Sequence, residues 1–148
     1  MTIDREQIEK TRDELVRISH MAYQRGLTSA TSGNPSSRVP GSPDLVLIKA
    51  TGTCFGTVGP EDFVLVDLDG NLVEGGKKPS KEVCSHCGIY KVRPDVQAVL
   101  HGHSAAATAY ATARIELPTL TAASSAQIKK VGIVEFAPAG SKELKEMV

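Results

Sequence analysis

The sequence predicts a single α/β domain over residues 1–148. Three observations lead there. Apolar residues recur at helical spacing near the start, at Ile8, Leu15, Ile18, Met21 and Ala22. Compact apolar runs of strand length follow, "DLVLIKA" at 44–50 and "DFVLVDLDGNLVEG" at 62–75. Helical and strand-like stretches then alternate, with no internal repeat and no low-complexity segment. A 3.6-residue period marks a helix with one buried face, and a short apolar run bounded by turn residues marks a strand. Their mixture in a chain long enough for one core gives the α/β class.

Asp4 is predicted to cap the first helix, with Gln7 three residues on as capping-box partner, and Gly26 to end it. "TSATSGNPSSR" at 28–38 is rich in small polar residues and is predicted as loop. Residues 44–50 read as a strand, broken by "TGTCFG". Residues 62–75 read as a hairpin, because Asp69-Gly70 suits a tight turn between apolar runs. Pro79-Ser80 opens a second helix to about Arg93, with Ser80 as its cap. Val96, Ala98, Val99 and Leu100 predict a buried strand that ends in His101-Gly102-His103. An alanine-rich helix over about 104–113, a strand at "GIVEFA" (132–137) and a last helix capped by Ser141 complete the series.

Bulk properties exclude several classes. Apolar residues are 41% of the chain and charged residues 23%, an ordinary globular composition. Lys plus Arg and Asp plus Glu each number 17, so there is no broad basic field to hold nucleic acid. No run of about 18 apolar residues exists to enter a membrane. The charged start "MTIDREQIEK" lacks the apolar centre of a signal peptide. Three cysteines without an export signal are expected as reduced thiols in the cytoplasm.

Side chains alternate along a strand, so His101 and His103 point the same way. Two imidazoles there can grip one metal ion, or can be polar residues where a strand meets solvent. Glu82 lies in the first turn of the preceding helix. If packing brings that helix start to the strand end, two neutral imidazoles and a carboxylate suit zinc with a position open for substrate. The alternative for Glu82 is a surface carboxylate favoured by the helix dipole. Three loops offer donors to an oxyanion: Thr31-Ser32-Gly33-Asn34, Thr51-Gly52-Thr53 and Ser80-Lys81. Glycines let the backbone approach a phosphate, hydroxyls and amides donate to it, and Lys81 adds a point charge. Each piece is also everyday turn material. Neither a P-loop nor a dinucleotide-binding glycine fingerprint occurs. Cys84 and Cys87 form a C-x-x-C around His86, without a second pair; these residues and His20 are read as packing or surface positions.

The order of the pieces "SGNPSSR", "ATGT", "DLDGNLVEG", "KPSKE" and "VLHGHSAAATA" resembles the class II aldolase and adducin N-terminal family over nearly the whole chain. That family includes L-fuculose-phosphate aldolase and L-ribulose-5-phosphate 4-epimerase. The resemblance implies a three-layer α/β/α fold around a central, mainly antiparallel sheet. It implies that His101 and His103 are the family's zinc pair and that Glu82 is its acid/base, able to ligate the metal. It implies that Gly33 and Asn34, Thr51 and Gly52, and Ser80 and Lys81 bind substrate phosphate. The implied reaction is reversible, zinc-dependent cleavage of a ketose phosphate to dihydroxyacetone phosphate and an aldehyde, by a homotetramer with sites between subunits. A Lewis acid suits the charge left when the C3–C4 bond breaks, a carboxylate suits proton transfer, and a phosphate grip suits orientation. Alternatives on the same fold are an epimerase, decarboxylase or dehydratase acting on a sugar phosphate, or a non-catalytic adducin-like scaffold. Glu82, where an aspartate is usual in the epimerase, favours aldolase.

Three features depart from the family pattern. Its third zinc histidine sits in a His-Gly segment beyond the helix that starts here at Ser141, so the chain is expected to be a C-terminally truncated member. "TLTAASSAQ" after Leu117-Pro118 has no tyrosine where fuculose-type aldolases carry one. Ser80-Lys81 stands where Ser-Ser is usual.

Overall fold

In the computed structural model, which describes residues 4–128 and 131–147, helix α1 runs from Arg5 to Gln24. It opens as predicted: the Asp4 carboxylate accepts a hydrogen bond from the Gln7 amide at 3.2 Å. The buried stripe is Ile8, Thr11, Leu15, Ser19 and Ala22, at steps of three and four. Met21, predicted on that face, is exposed because the stripe passes through Ser19 and Ala22. Ser19 sits in an apolar layer because its hydroxyl donates to the Leu15 carbonyl at 2.6 Å.

The polar stretch that follows is not all loop. Asn34–Val39 is strand β1, paired on one side with β2 (Ser42–Lys49) and on the other with β5 (Ala98–His101). Pro35, Ser36 and Ser37 favour turns, but pairing on both edges and burial override that preference. Strands β3 (Phe63–Asp67) and β4 (Leu72–Glu74) form the predicted hairpin. Its turn is held by the Asp67 carboxylate, which accepts from the Asp69 and Asn71 amides at 2.9 Å each. All strand pairs are antiparallel, in the order β4-β3-β2-β1-β5.

Helix α1 covers one face of the sheet, with Ile8 and Leu15 on Val39, Leu45, Leu47, Phe63 and Leu65. Helix α2 (Val83–Val92) covers the other, with Cys87 and Tyr90 on Val46, Ile48, Val64 and Val66. The result is the three-layer α/β/α arrangement implied by the resemblance. Helix α2 starts later than predicted. Pro79 bridges to Ala50, and the Ser80 amide donates to the Lys49 carbonyl at 3.0 Å. These bonds tie residues 79–80 to the end of β2, and Glu82 takes the N-cap position.

Strand β5 is a half-exposed edge, not the buried strand predicted. Val99 packs into the α2 layer, while Leu100 on the opposite face is 48% exposed. Beyond it lie α3 (Ala105–Thr112), α4 (Ala122–Gln127) and α5 (Lys142–Met147). The Ser141 hydroxyl caps α5 as predicted, accepting from the Leu144 amide at 3.1 Å. Residues 132–137 are not a strand. A strand exists only where a neighbour takes its amide and carbonyl groups, and this segment joins no ladder of the sheet. None of the described residues after His101 is buried, so both hydrophobic clusters lie between Ile8 and Val99. No helix among the described residues is long and apolar enough to cross a membrane.

Candidate active site

Asn34, at the start of β1, lies opposite His101, at the end of β5. Directly opposed residues in an antiparallel ladder project to the same face, and here that face meets the N-terminus of α2. The Asn34 amide donates to Glu82 Oε2 at 2.6 Å, and His101 Nδ1 donates to the same oxygen at 2.5 Å. Oε1 has no hydrogen-bond partner among the described residues. His103 lies just past the strand, its amide donating to the Leu27 carbonyl at 2.8 Å. Its ring centroid is 4.7 Å from that of His101, with the planes tilted by 48°. Gly33 makes this junction feasible. Its φ is +75°, and a Cβ there would lie 2.7 Å from the His101 carbonyl oxygen.

One cavity of about 350 Å³ is lined by all nine residues that the family resemblance implies: Gly33, Asn34, Thr51, Gly52, Ser80, Lys81, Glu82, His101 and His103; of the other loop donors named from sequence, Thr31 and Ser32 line it and Thr53 does not. The loops converge because they are tied together. The Thr51 amide donates to the Lys78 carbonyl at 3.0 Å and the Ser80 amide to the Lys49 carbonyl, while Gly33-Asn34 enters β1 alongside. A larger hollow of about 610 Å³ between α1 and β5 contains none of the nine. The wall of the smaller cavity also includes Lys49, which sequence reasoning passed over as part of an apolar run. This lysine is buried; its ammonium donates to the Thr53 carbonyl at 2.5 Å and lies 5.5 Å from the centre of the Phe55 ring. Burial lowers its pKa, with Asp62 among the charges opposing the shift. A cavity lined by hydroxyls, a backbone turn and two lysines suits an anion.

The Glu82 carboxyl is held down at about 2, chiefly by the His101 hydrogen bond and with help from Asn34, against the opposing effect of burial. It is therefore ionised at neutral pH. Among the described residues no group of three His, Cys, Asp or Glu side chains converges as a metal cluster. Instead Glu82 hydrogen-bonds to one imidazole of an adjacent pair. In kind, the groups present fit a divalent ion: two imidazoles side by side, a carboxylate with one oxygen uncommitted, and Asn34 Oδ1, which is buried and without a hydrogen-bond partner among the described residues. The C-x-x-C does not join them. Cys84 is exposed and Cys87 is in the core, its thiol pushed up to about 11 by burial. His20 is half-buried, with Nε2 3.1 Å from the Val58 carbonyl oxygen.

His86 is more than a packing residue. It is buried beside Ser36, and burial pushes its pKa down to about 4 from the usual 6.5. The imidazole is thus neutral in the fold. Between pH 6.5 and 4 the unfolded chain binds a proton that the folded chain refuses, so stability falls as pH falls through that window. Urea unfolding is expected to lose on the order of 2–3 kcal/mol from this source between about pH 7 and 4, and His86→Gln should flatten that slope. Glu82 acts in a separate, lower window. Its depressed pKa stabilises the fold above about 4.5, and that contribution is lost as pH falls toward about 2.

Residues 13–148 match the family described as Class II Aldolase and Adducin N-terminal domain. The chain is 35% identical over 135 residues to an L-fuculose phosphate aldolase of Methanococcus vannielii, a match covering 91% of this chain and 72% of that protein. It is 41% identical over 108 residues to a methylthioribulose-1-phosphate dehydratase of Pseudomonas fluorescens, covering 73% of this chain and 50% of that protein. The solved structure of an L-fuculose 1-phosphate aldolase superposes with a TM-score of 0.85 at 32% identity, over 93% of this chain and 64% of the other. The chain thus corresponds to part of the length of each of these relatives.

Proposed function

Since this chain belongs to the class II aldolase and adducin N-terminal domain family, we propose that it acts as a metal-dependent lyase on a sugar phosphate. The reaction in this reading resembles that of L-fuculose-phosphate aldolase: a ketose phosphate is cleaved to dihydroxyacetone phosphate and an aldehyde. One observation carries the reading. The imidazole pair, the low-pKa carboxylate and the three donor loops line a single cavity.

His101 and His103 would hold the ion, taken to be Zn2+, with Glu82 in reach of it. Bound there, the ion would supply Lewis-acid stabilisation of the negative charge that develops as the carbon–carbon bond breaks. The chain's own groups account for the rest. Lys81 and the Ser80, Thr51 and Gly52 backbone hold the phosphate; Gly33 and Asn34 extend that grip. When the C3–C4 bond breaks, the proton leaving the C4 hydroxyl must be balanced by one delivered to C3. Glu82, ionised at rest, carries it. The proposal includes a cytoplasmic homotetramer, on the family resemblance.

The test is metal analysis of the purified chain, followed by retro-aldol assays on a panel of ketose phosphates. Stoichiometric zinc and release of dihydroxyacetone phosphate support the proposal. A metal-free protein inert on the panel would point to an adducin-like scaffold. The similarity to the dehydratase and the lack of a tyrosine after Leu117-Pro118 favour a second reading, dehydration on the same scaffold. It is recognised by one product lighter by water instead of two fragments. Lys81→Ala is expected to raise KM for a phosphorylated substrate by about tenfold or more, through loss of a charge-assisted contact, while leaving that for the unphosphorylated analogue nearly unchanged. Equal effects on both would mean that Lys81 does not touch phosphate.

A further inference from the structure

We infer that Ser36, His86 and Tyr90 are positioning residues: with Asn34 and Arg38 they form a polar zipper between β1 and α2 that sets where the Glu82 carboxylate sits against His101. The inference rests on the proposed role of Glu82.

The zipper follows from two matching repeats. Alternate residues of β1 (Asn34, Ser36, Arg38) share a face and advance by about 6.7 Å per step. Every fourth residue of α2 (Glu82, His86, Tyr90) shares a face and advances by about 6 Å. Two such rows laid together stay in step for about three rungs, and three are present. Asn34 donates to Glu82 at 2.6 Å. Ser36 Oγ lies 2.7 Å from His86 Nδ1 and 2.8 Å from the Tyr90 hydroxyl. The Arg38 guanidinium donates to the Tyr90 carbonyl at 2.5 Å and lies 4.8 Å from the centre of its ring. Ser36, Tyr90 and His86 are buried, at 0%, 1% and 2% exposure.

Most of the rest of the α2 interface is apolar, built on Val46, Ile48, Val64, Val66 and Cys87; the Cys87 thiol donates to the Asp67 carbonyl at 3.5 Å, and Lys91 pairs with Asp69 at the exposed far end. Apolar contact is non-directional and opposes sliding or rotation of the helix only through packing. Buried polar rungs forbid such movement, because each displaced partner is left unsatisfied at about 1–3 kcal/mol. The cluster thus fixes the helix register, and the end of that helix is Glu82. The Cβ row of β1 also aligns Asn34 with His101 on β5, so the zipper sets both partners of the carboxylate from one strand.

The test uses the full chain with Ser36→Ala, which removes the middle rung, and Tyr90→Phe, which removes one hydroxyl and keeps the ring. Val66→Ala serves as a control that weakens the same interface without touching a rung. Two readings are taken: the Asn34 side-chain amide in the 1H–15N spectrum, and the affinity for Co2+ in a spectroscopic titration. Ser36→Ala is expected to move the Asn34 resonance and weaken Co2+ binding by about tenfold. Tyr90→Phe should do the same to a lesser degree, and Val66→Ala should lower the melting temperature while leaving both readings in place. The inference is overturned if both zipper variants keep the resonance and bind Co2+ within twofold of wild type, or if Val66→Ala shifts both readings as much. Should Ser36→Ala fail to fold, Tyr90→Phe decides by the same readings. Should the wild-type chain bind no Co2+, the metal reading fails, and the Asn34 resonance alone decides the zipper.

Discussion

His101→Ala is expected to abolish bound divalent metal and, with it, any carbon–carbon lyase activity. The substitution removes two things at once. It deletes one of the two imidazoles whose rings lie side by side, and it deletes the hydrogen bond that contributes most to holding the Glu82 carboxyl at about 2. Outer partners of a metal ligand are worth about 10–100-fold in affinity, so the loss of a ligand together with the group that orients the carboxylate should exceed about 100-fold. The fold should survive. His101 ends an edge strand, and its side chain is a third exposed, so nothing in the core depends on it. Metal content after dialysis and a Co2+ titration measure the first effect, and circular dichroism the second. A variant that retains its metal with wild-type stoichiometry would remove His101 from the site.

Gly33→Ala is expected to damage both the fold and the candidate site. At φ +75° an alanine pays a left-handed backbone penalty of about 1–2 kcal/mol. The added Cβ would also lie 2.7 Å from the His101 carbonyl oxygen and 3.0 Å from the Thr28 hydroxyl. The first neighbour is backbone, held by the ladder between β1 and β5, and cannot rotate away. The strands must separate at the pair Asn34–His101, where the candidate site is assembled. A loss of about 2–4 kcal/mol is expected in urea unfolding, with metal affinity falling further than stability alone explains. Gly26→Ala provides the comparison, since φ there is +67° but nothing lies within 4 Å of the added methyl. Equal losses at the two positions would mean that the contact with His101 is immaterial.

What was legible in the sequence follows from how local each signal is. Helix α1, its cap at Asp4 and the turn at Asp69-Gly70 depend on neighbours within a few residues, and the structure has them where predicted. The nine candidate residues share one cavity because the start of β1 and the ends of β2 and β5 lie at the same end of the antiparallel sheet, beside the start of α2. Strand β1 was illegible: Asn34-Pro35-Ser36-Ser37 favours turns by composition, and only its two neighbours make it a strand. The segment 132–137 has the opposite defect, with strand-like residues and no ladder to join. The Ser36–His86–Tyr90 cluster was missed for a related reason. Its chemistry comes from contacts made across dozens of residues, such as Ser36 with His86, and composition carries no trace of them.

Strand β1 has a parity. Even-numbered residues from 34 to 38 face Glu82, His86 and Tyr90, whereas Ser37 stands opposite Leu47 in the layer that α1 covers. An insertion or deletion of one residue here would not displace the site by a few ångströms; it would turn it inside out, sending Asn34 and Ser36 to the wrong layer and offering Pro35 to the carboxylate. Length is therefore far less negotiable than residue identity along this strand. Gains and losses of single residues are tolerable only at joints such as Pro40-Gly41, where the chain reverses between β1 and β2 and no parity is kept.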